Sequence, residues 1–387
     1  MPSTFTQAMA TLGAAAEFPN TYVAQWKQRT GGKAIGLFPM NFPAELAHAA
    51  GVLPVIIQED REPITAGRNL LGEFNCGYTR NLADQAALGR LDVYDGFFQA
   101  DHCIQLLGAV DVVREDEPDK PVYFGQLMSS MGDEWTFPQV LEKMNDFRVE
   151  LEKFTGRAVS DDDIANSIEI FDENRRLMRS IFDQRRHGDA ALAPDQIQVL
   201  VKSSMIMDKQ EHTELLREVM AEHGPVPRDD RIRVHLSGHF CHAPNPELLK
   251  VIEDSGAIVV DDDLFHGTRY VSTDVGSTDD PMAALASVYL RRNSAVPCPT
   301  RVQHDVDWDR FLVDSVIASG AQGVIVLMAK FCEPHMLFYP ELRKALEARS
   351  IPLLLIETEH EGLPLESIRT RVEALVERIR RKQLTTV

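Results

Sequence analysis

Basic residues are few beside acidic ones in this 387-residue chain: 40 Lys and Arg face 59 Asp and Glu, a formal charge of −19. A polyanion meets repulsion over most of such a surface. The basic clusters, Arg175-Arg176, Arg185-Arg186 and Arg380-Arg381-Lys382, fall inside or at the ends of helix-like segments and read as solvated helix faces. Nucleic acid is not an expected partner. Long hydrophobic runs are also missing. The longest, around Gly323 to Ala329, has the length of a strand, well short of the ~20 residues that cross a bilayer, so no membrane association is expected. The first basic residue is Lys27, beyond the Ala-rich stretch Gly13 to Ala16. A secretory leader needs positive charge before its apolar core, so a cytoplasmic location is expected.

Cysteine is scarce too. Cys76, Cys103, Cys241, Cys298 and Cys332 form no CxxC pair and are too scattered for a disulfide framework. Several catalytic signatures are incomplete. Gly31-Gly32-Lys33 has Lys27 and Ala34 where a phosphate loop requires Gly and Ser or Thr. Ser237-Gly238-His239 is not GxGxxG, and neither GxSxG nor HExxH occurs.

Strand-length apolar runs alternate with helix-like segments: Ala34–Phe38, Leu53–Ile57, Val93–Phe98 and Val122–Phe124, then Ile232–Leu236, Ala257–Val260, Gly323–Met328 and Pro352–Ile356. Such runs barely alternate in polarity, which predicts parallel sheets covered on both faces. The expected fold is α/β, with two doubly wound parallel-sheet domains and a helical connecting region. Its expected divisions are an N-terminal domain over 1–137, the helical region over 138–222 and a C-terminal domain over 223–387. Ser160 with Asp163 resembles a capping box at the start of a helix whose stripe is Ile164, Ile168, Phe171, Leu177 and Ile181. His223 to Asp230, with Gly224, Pro225 and Pro227, reads as the linker to the second domain.

In open parallel sheets, ligands bind beyond the carboxyl ends of the strands. Cys103, Cys241 and Cys332 each follow a strand there, and each precedes a helix whose positive end would favour a thiolate. Two facing domains would let distant cysteines share one cleft, where thiolates suit zinc or an iron-sulfur cluster. Other candidates are Asp261-Asp262-Asp263 after a strand, and Glu359-His360-Glu361 beside Glu357, read as a solvated loop with potential metal ligands. Glu45 and His48 share a face of the short helix that Pro43 opens and Gly51 closes.

The residues resemble the iron-sulfur subunits of the 2-hydroxyacyl-CoA dehydratase and benzoyl-CoA reductase family over most of the chain. Phe42 to Gly51 is similar to the family's PEEIIHAAG segment, and Cys76 with Arg80, Gly89 to Asp92 and Asp95-Gly96 to its first cysteine region. Glu152 to Gly156 with Asn174-Arg175-Arg176 resembles its helical middle, and Gly256 to Asp263 with Arg269 its second-domain strand. Lys330-Phe331-Cys332-Glu333-Pro334-His335 resembles its KFCDPH motif, continued by Tyr339-Pro340, Leu342-Arg343 and Glu357-Thr358.

The resemblance implies a 4Fe-4S cluster held by Cys76, Cys103 and Cys332, leaving one iron without a protein ligand. It also implies a homologous second iron-sulfur subunit, a separate ATP-hydrolysing activator or electron donor, and a CoA thioester substrate. One low-potential electron reaches the thioester carbonyl, and the resulting ketyl radical either loses water or leads to ring dearomatisation. Asp261-Asp262-Asp263 and the chain length lean toward a benzoyl-CoA reductase small subunit, with a 2-hydroxyacyl-CoA dehydratase subunit as the alternative. Glu45 and His48 are expected to transfer protons, and Cys241, Asp262 and Glu357 to lie at or near the substrate. Ile104 and the approach Phe98 to His102 depart from the family pattern. A non-redox partner subunit, or a zinc hydrolase using Cys241, His239 and His242, remain the readings of other classes.

Overall fold

The computed structural model describes residues 3–39, 43–100, 103–187, 192–221 and 230–385. Phe42, Asp101, His102 and the linker positions 223–229 lie outside the described residues. Two four-stranded, all-parallel sheets carry the fold. The first holds β1 (Lys33–Leu37), β2 (Val52–Ile56), β3 (Gly96–Ala100) and β4 (Val122–Gly125) in the order β2-β1-β3-β4. The second holds β5 (Ile232–Gly238), β6 (Ala257–Asp262), β7 (Gly323–Ala329) and β8 (Leu353–Thr358) in the order β6-β5-β7-β8. The two sheets thus repeat one plan, and the expected doubly wound α/β class is what the chain adopts.

Every residue of β3, β5 and β7 is buried, as expected of strands covered by helices on both faces. The third strand starts later than the apolar run predicts. Tyr94 N–H closes a turn on the Leu91 carbonyl, and Asp95 N–H donates to the Ala34 carbonyl, so pairing in register begins at Gly96. That shift carries the strand to Ala100, almost to Cys103.

Four helices, Thr136–Thr155, Asp161–His187, Pro194–Ile206 and Lys209–Ala221, follow the first sheet in sequence. The predicted box closes the second of them: Ser160 N–H donates to Asp163 at 3.0 Å, and Asp163 N–H donates to Ser160 Oγ at 3.1 Å. This helix has 27 residues, about 40 Å at 1.5 Å per residue, and it braces both sheets. Arg175 meets Glu45 beyond β1, while Arg185 and Arg186 pair with Asp262 and Asp261 at the end of β6. One apolar core joins Leu12, Leu37, Leu151, Leu200 and Val326, so the helices and parts of both sheets share a single interior.

Candidate functional site

Four of the five thiols meet at one cavity of about 270 Å³ between the carboxyl ends of the two sheets. Cys76 caps the helix Gly77–Ala87, Cys103 caps Ile104–Asp116 and Cys332 caps Glu333–Ala348. Cys241 comes from the loop after β5. Cys298 is buried behind the cavity wall and does not line it; its Sγ is 3.1 Å from Thr300 Oγ1. The remaining wall is largely apolar, including Ile104, Phe240, Pro299, Leu337 and Phe338.

Gln105 fixes three of the cysteine loops relative to one another. Its Oε1 accepts from Cys76 N–H at 2.9 Å, and its Nε2 donates to the Phe331 carbonyl at 2.7 Å, just before Cys332. Phe331 has φ +64°, a left-handed turn that brings Cys332 back to the cavity. Gly238, at φ +107°, ends β5 where a Cβ would stand 2.3 Å from the Leu327 carbonyl. Only glycine allows the Cys241 loop to leave that close to β7.

The Cys76 thiol is hydrogen-bonded to His242, whose Nδ1–H donates to Glu59 at 3.0 Å. Glu59 also accepts from His360 Nδ1 at 2.6 Å, and His360 Nε2–H donates to the Glu62 carbonyl at 2.8 Å. Both ring nitrogens of His360 donate, which requires the imidazolium form. Burial disfavours charge throughout this group, but mutual pairing outweighs it. Glu59 is held well below the carboxylate range by His242 and His360, and His242 is raised to about 10 by Glu59 and Cys76. The Cys76 thiol is lowered by His242 and Thr79 against the opposing effect of burial.

Burial instead dominates the other thiols. Cys103 is pushed up to about 11 and Cys332 to about 12, each further raised by Cys76, and Cys241 rises well above the ordinary thiol range. The helix N-termini do not deliver the expected thiolates. The N–H groups of Leu106 and Gln105 at Cys103, and of His335 at Cys332, lower the pKa by less than desolvation raises it. A bound cation would reverse that balance by replacing the protons.

Glu359-His360-Glu361 is a latch between the sheets, where a solvated loop was expected. Arg80 reaches Glu359 at 2.9 Å, Arg68 reaches Glu361 at 2.8 Å, and Glu361 also accepts from Ile64 N–H at 2.8 Å. Gly77 lets His360 approach, since a Cβ at residue 77 would lie 2.8 Å from His360 Cβ.

A family model, that of the 2-hydroxyglutaryl-CoA dehydratase D-component, matches residues 39–379. The chain belongs to this family. It is 29% identical over 368 residues to the (R)-phenyllactyl-CoA dehydratase beta subunit of Clostridium sporogenes, covering 93% of this chain and 96% of that one. It is 27% identical over 381 residues to the (R)-2-hydroxyglutaryl-CoA dehydratase beta subunit of Acidaminococcus fermentans, covering 93% and 95%. A benzoyl-CoA reductase subunit of Thauera aromatica is 25% identical over 365 residues, covering 93% and 94%. The protein is therefore an enzyme subunit of the 2-hydroxyacyl-CoA dehydratase and benzoyl-CoA reductase family.

Within this dehydratase-family fold, the sequence-predicted residues divide. Cys76, Cys103, Cys241 and Cys332 come together. Glu45 and His48 do not join them: Glu45 binds Arg175 at 2.7 Å, and His48 Nδ1–H donates to Ser167 Oγ at 2.9 Å while Ser167 donates to the Glu45 carbonyl. Asp262 is buried against Arg185 and accepts from the N–H groups of Leu264 and Thr268. Glu357 is exposed on edge strand β8, and the alternation of that strand turns its neighbour Thr358 inward to His239 at 2.6 Å.

For an iron-sulfur group the donor chemistry fits: soft thiols in an apolar wall, in a space larger than one ion needs. No three His, Cys, Asp or Glu side chains among the described residues close on a single metal ion. The hydrolytic zinc set of Cys241, His239 and His242 is consequently not assembled, and His242 is directed to Cys76 and Glu59. Sequence reasoning missed Glu59, Gln105 and the structural role of His360. Only the nearness of Gln105 to Cys103 offered a signal.

Proposed function

We propose that this chain is the cluster-bearing subunit of an ATP-dependent, low-potential 2-hydroxyacyl-CoA dehydratase, with Cys76, Cys103 and Cys332 holding a 4Fe-4S group. The observation that carries this reading is the convergence of thiols from loops of both sheets on one apolar cavity. When bound, such a group would supply the single low-potential electron that makes a thioester carbonyl reactive. The chain's own residues do the rest. Gln105 holds the Cys76 and Cys332 loops in register, and His242 and Glu59 stabilise the Cys76 thiolate from behind. Phe240, Leu337 and Phe338 keep the sulfur environment apolar.

Ile104, Leu337 and Phe338 also ring the cavity with exposed apolar surface, at 75%, 76% and 40% exposure. Clustered exposure of this kind suits a protein partner, and we assign it to the homologous second iron-sulfur subunit. The relatives are themselves named as subunits, which agrees with a multi-subunit enzyme. ATP hydrolysis belongs to a separate activator or electron donor. We place the complex in the cytoplasm; no described helix is long and apolar enough to cross a membrane.

Ring reduction of the benzoyl-CoA type is the second reading, supported by the likeness to the Thauera aromatica reductase subunit over 93% of the chain. The triple aspartate no longer favours it. Asp261 and Asp262 pair with Arg186 and Arg185, and Asp263 accepts from Ser237, Gly238 N–H and Trp308. Anaerobic purification tests the cluster: near four irons and four sulfides per chain, lost in C76A, C103A or C332A, are expected, and a colourless chain with unchanged variants refutes it. With partner and activator present, an enoyl-CoA from a 2-hydroxyacyl-CoA supports dehydration. A dearomatised product from benzoyl-CoA supports the second reading instead.

A further inference from the structure

Beside the thiol cavity lies a smaller one, of about 40 Å³, with no acidic residue in its wall. Arg269, Arg292 and Arg301 line it, together with Tyr270 and Tyr289. Arg269 and Arg301 are each only 8% exposed. Arg269 donates to the carbonyls of Asp263, Val296 and Pro297, and Arg301 to that of Thr300. Yet Arg269 Nη2 and Arg301 Nε and Nη2 have no hydrogen-bond partner among the described residues. A guanidinium cannot shed its proton at ordinary pH, so burying one beside unfilled donors is costly unless an acceptor arrives.

The positive character extends further. Phe265, Tyr270 and Arg292 are shared with a second cavity, also about 40 Å³, which adds Lys209; Arg175 in its wall is already neutralised by Glu45 and Asp172. Its single acid, Glu45, is already bound to Arg175. Burial pushes Arg269 and Arg292 below the ordinary guanidinium range and outweighs the opposing pull of Asp263 and Asp262 on the first and of Glu45 and Asp172 on the second. In a chain of net charge −19, this is a strong local concentration of cations.

A single water needs roughly 10–15 Å³, so each space admits a carboxylate or a phosphate group and excludes a nucleotide. Residues 298–301 separate it from the thiols: Pro299 and Thr300 face the thiol cavity, and Cys298 and Arg301 face the cationic one. The Arg269 guanidinium also lies 5.0 Å from the ring centroid of Phe240, which lines the thiol cavity.

We propose that the cavity of Arg269, Arg292 and Arg301 is a binding site for the oxyanion group, carboxylate or phosphate, of a small acidic metabolite. The planar forks of the guanidiniums match both groups. The proposal stands apart from the cluster reading, because none of these side chains is a cluster ligand.

Calorimetric titration of the anaerobically isolated full chain, at constant ionic strength, tests it with glutarate, the neutral diamide of glutarate, and inorganic phosphate. Saturable binding of glutarate or phosphate, but not of the diamide, is expected. It should weaken at least about tenfold in R301Q and R292Q and persist in R176Q, which alters an exposed arginine. Tighter glutarate points to a carboxylate-bearing ligand and tighter phosphate to a phosphorylated one; either result supports the site. Absence of saturable anion binding, or equal affinity in folded R301Q and R292Q, overturns it. Iron measured on the same samples should not change between R292Q and wild type, which separates this outcome from failure of the cluster reading. If R301Q does not fold, R292Q decides alone.

Discussion

Glu59→Gln removes the charge at the centre of the inter-sheet latch while keeping its size. The carboxylate accepts from His242 at 3.0 Å and from His360 at 2.6 Å, and its side chain is 16% exposed. Charge-assisted bonds contribute about 1.5–3 kcal/mol each. Glutamine retains one acceptor, but its amide N–H turns toward the second imidazolium. The expected loss is therefore one such bond plus the penalty of an unpaired buried cation, about 2–4 kcal/mol in all.

The pH dependence of that loss follows from the signs of the shifts. Glu59 is depressed, so its contribution is present above the ordinary carboxylate value of 4.5 and disappears as pH falls. His242 and His360 are raised; their contribution is complete below 6.5 and fades as pH rises, for His242 through about 10. The difference between wild type and variant should be largest from about 4.5 to 6.5. Denaturant midpoints of the cluster-free chain across pH, with imidazole resonances followed by NMR, measure both consequences. A midpoint change worth under about 0.5 kcal/mol, with His242 still protonated at neutral pH in the variant, would refute the reasoning.

Gln105→Leu leaves Cys76 N–H and the Phe331 carbonyl without their partner; a cost of about 1–3 kcal/mol and faster iron loss are expected, checked by thermal melting and an iron-release assay. Gly77→Ala places a methyl group against His360, so a destabilisation of about 1–3 kcal/mol should appear in the same melt, with the signature of a weakened latch. Leu337→Asp alters a side chain that is 76% exposed at the cavity mouth. It should abolish co-purification of the partner subunit while leaving the iron content of the isolated chain intact.

The eight apolar runs found in the sequence correspond to the eight strands, because strands covered on both faces need nearly unbroken apolar stretches, and even the partly exposed edge strands β4 and β8 keep them. Cys103, Cys241 and Cys332 were legible for the same reason, since strand ends point to the cleft. Cys76 was harder to find from pattern alone. It closes a long connection after β2 that contains only the short helix Gly67–Leu70, so its place depends on tertiary packing. Glu45 and Asp262 looked available in one dimension, but the helix Asp161–His187 brings Arg175 and Arg185 to them from more than a hundred and from about eighty residues away. Glu59, His242 and His360 form a unit only across the interface of the two sheets, and no local spacing encodes that meeting.

The sharing of thiols between sheets has a mechanical side. Cys76 and Cys103 belong to the first sheet, and Cys241 and Cys332 to the second. Any group bonded to Cys76, Cys103 and Cys332 would also tie the two sheets together, closing a loop of more than two hundred residues beside the latch. Without such a group, the shared apolar core and the Glu59 latch alone would hold the sheets together, and the exposed apolar surface of Ile104, Leu337 and Phe338 lies where any change in their spacing would register.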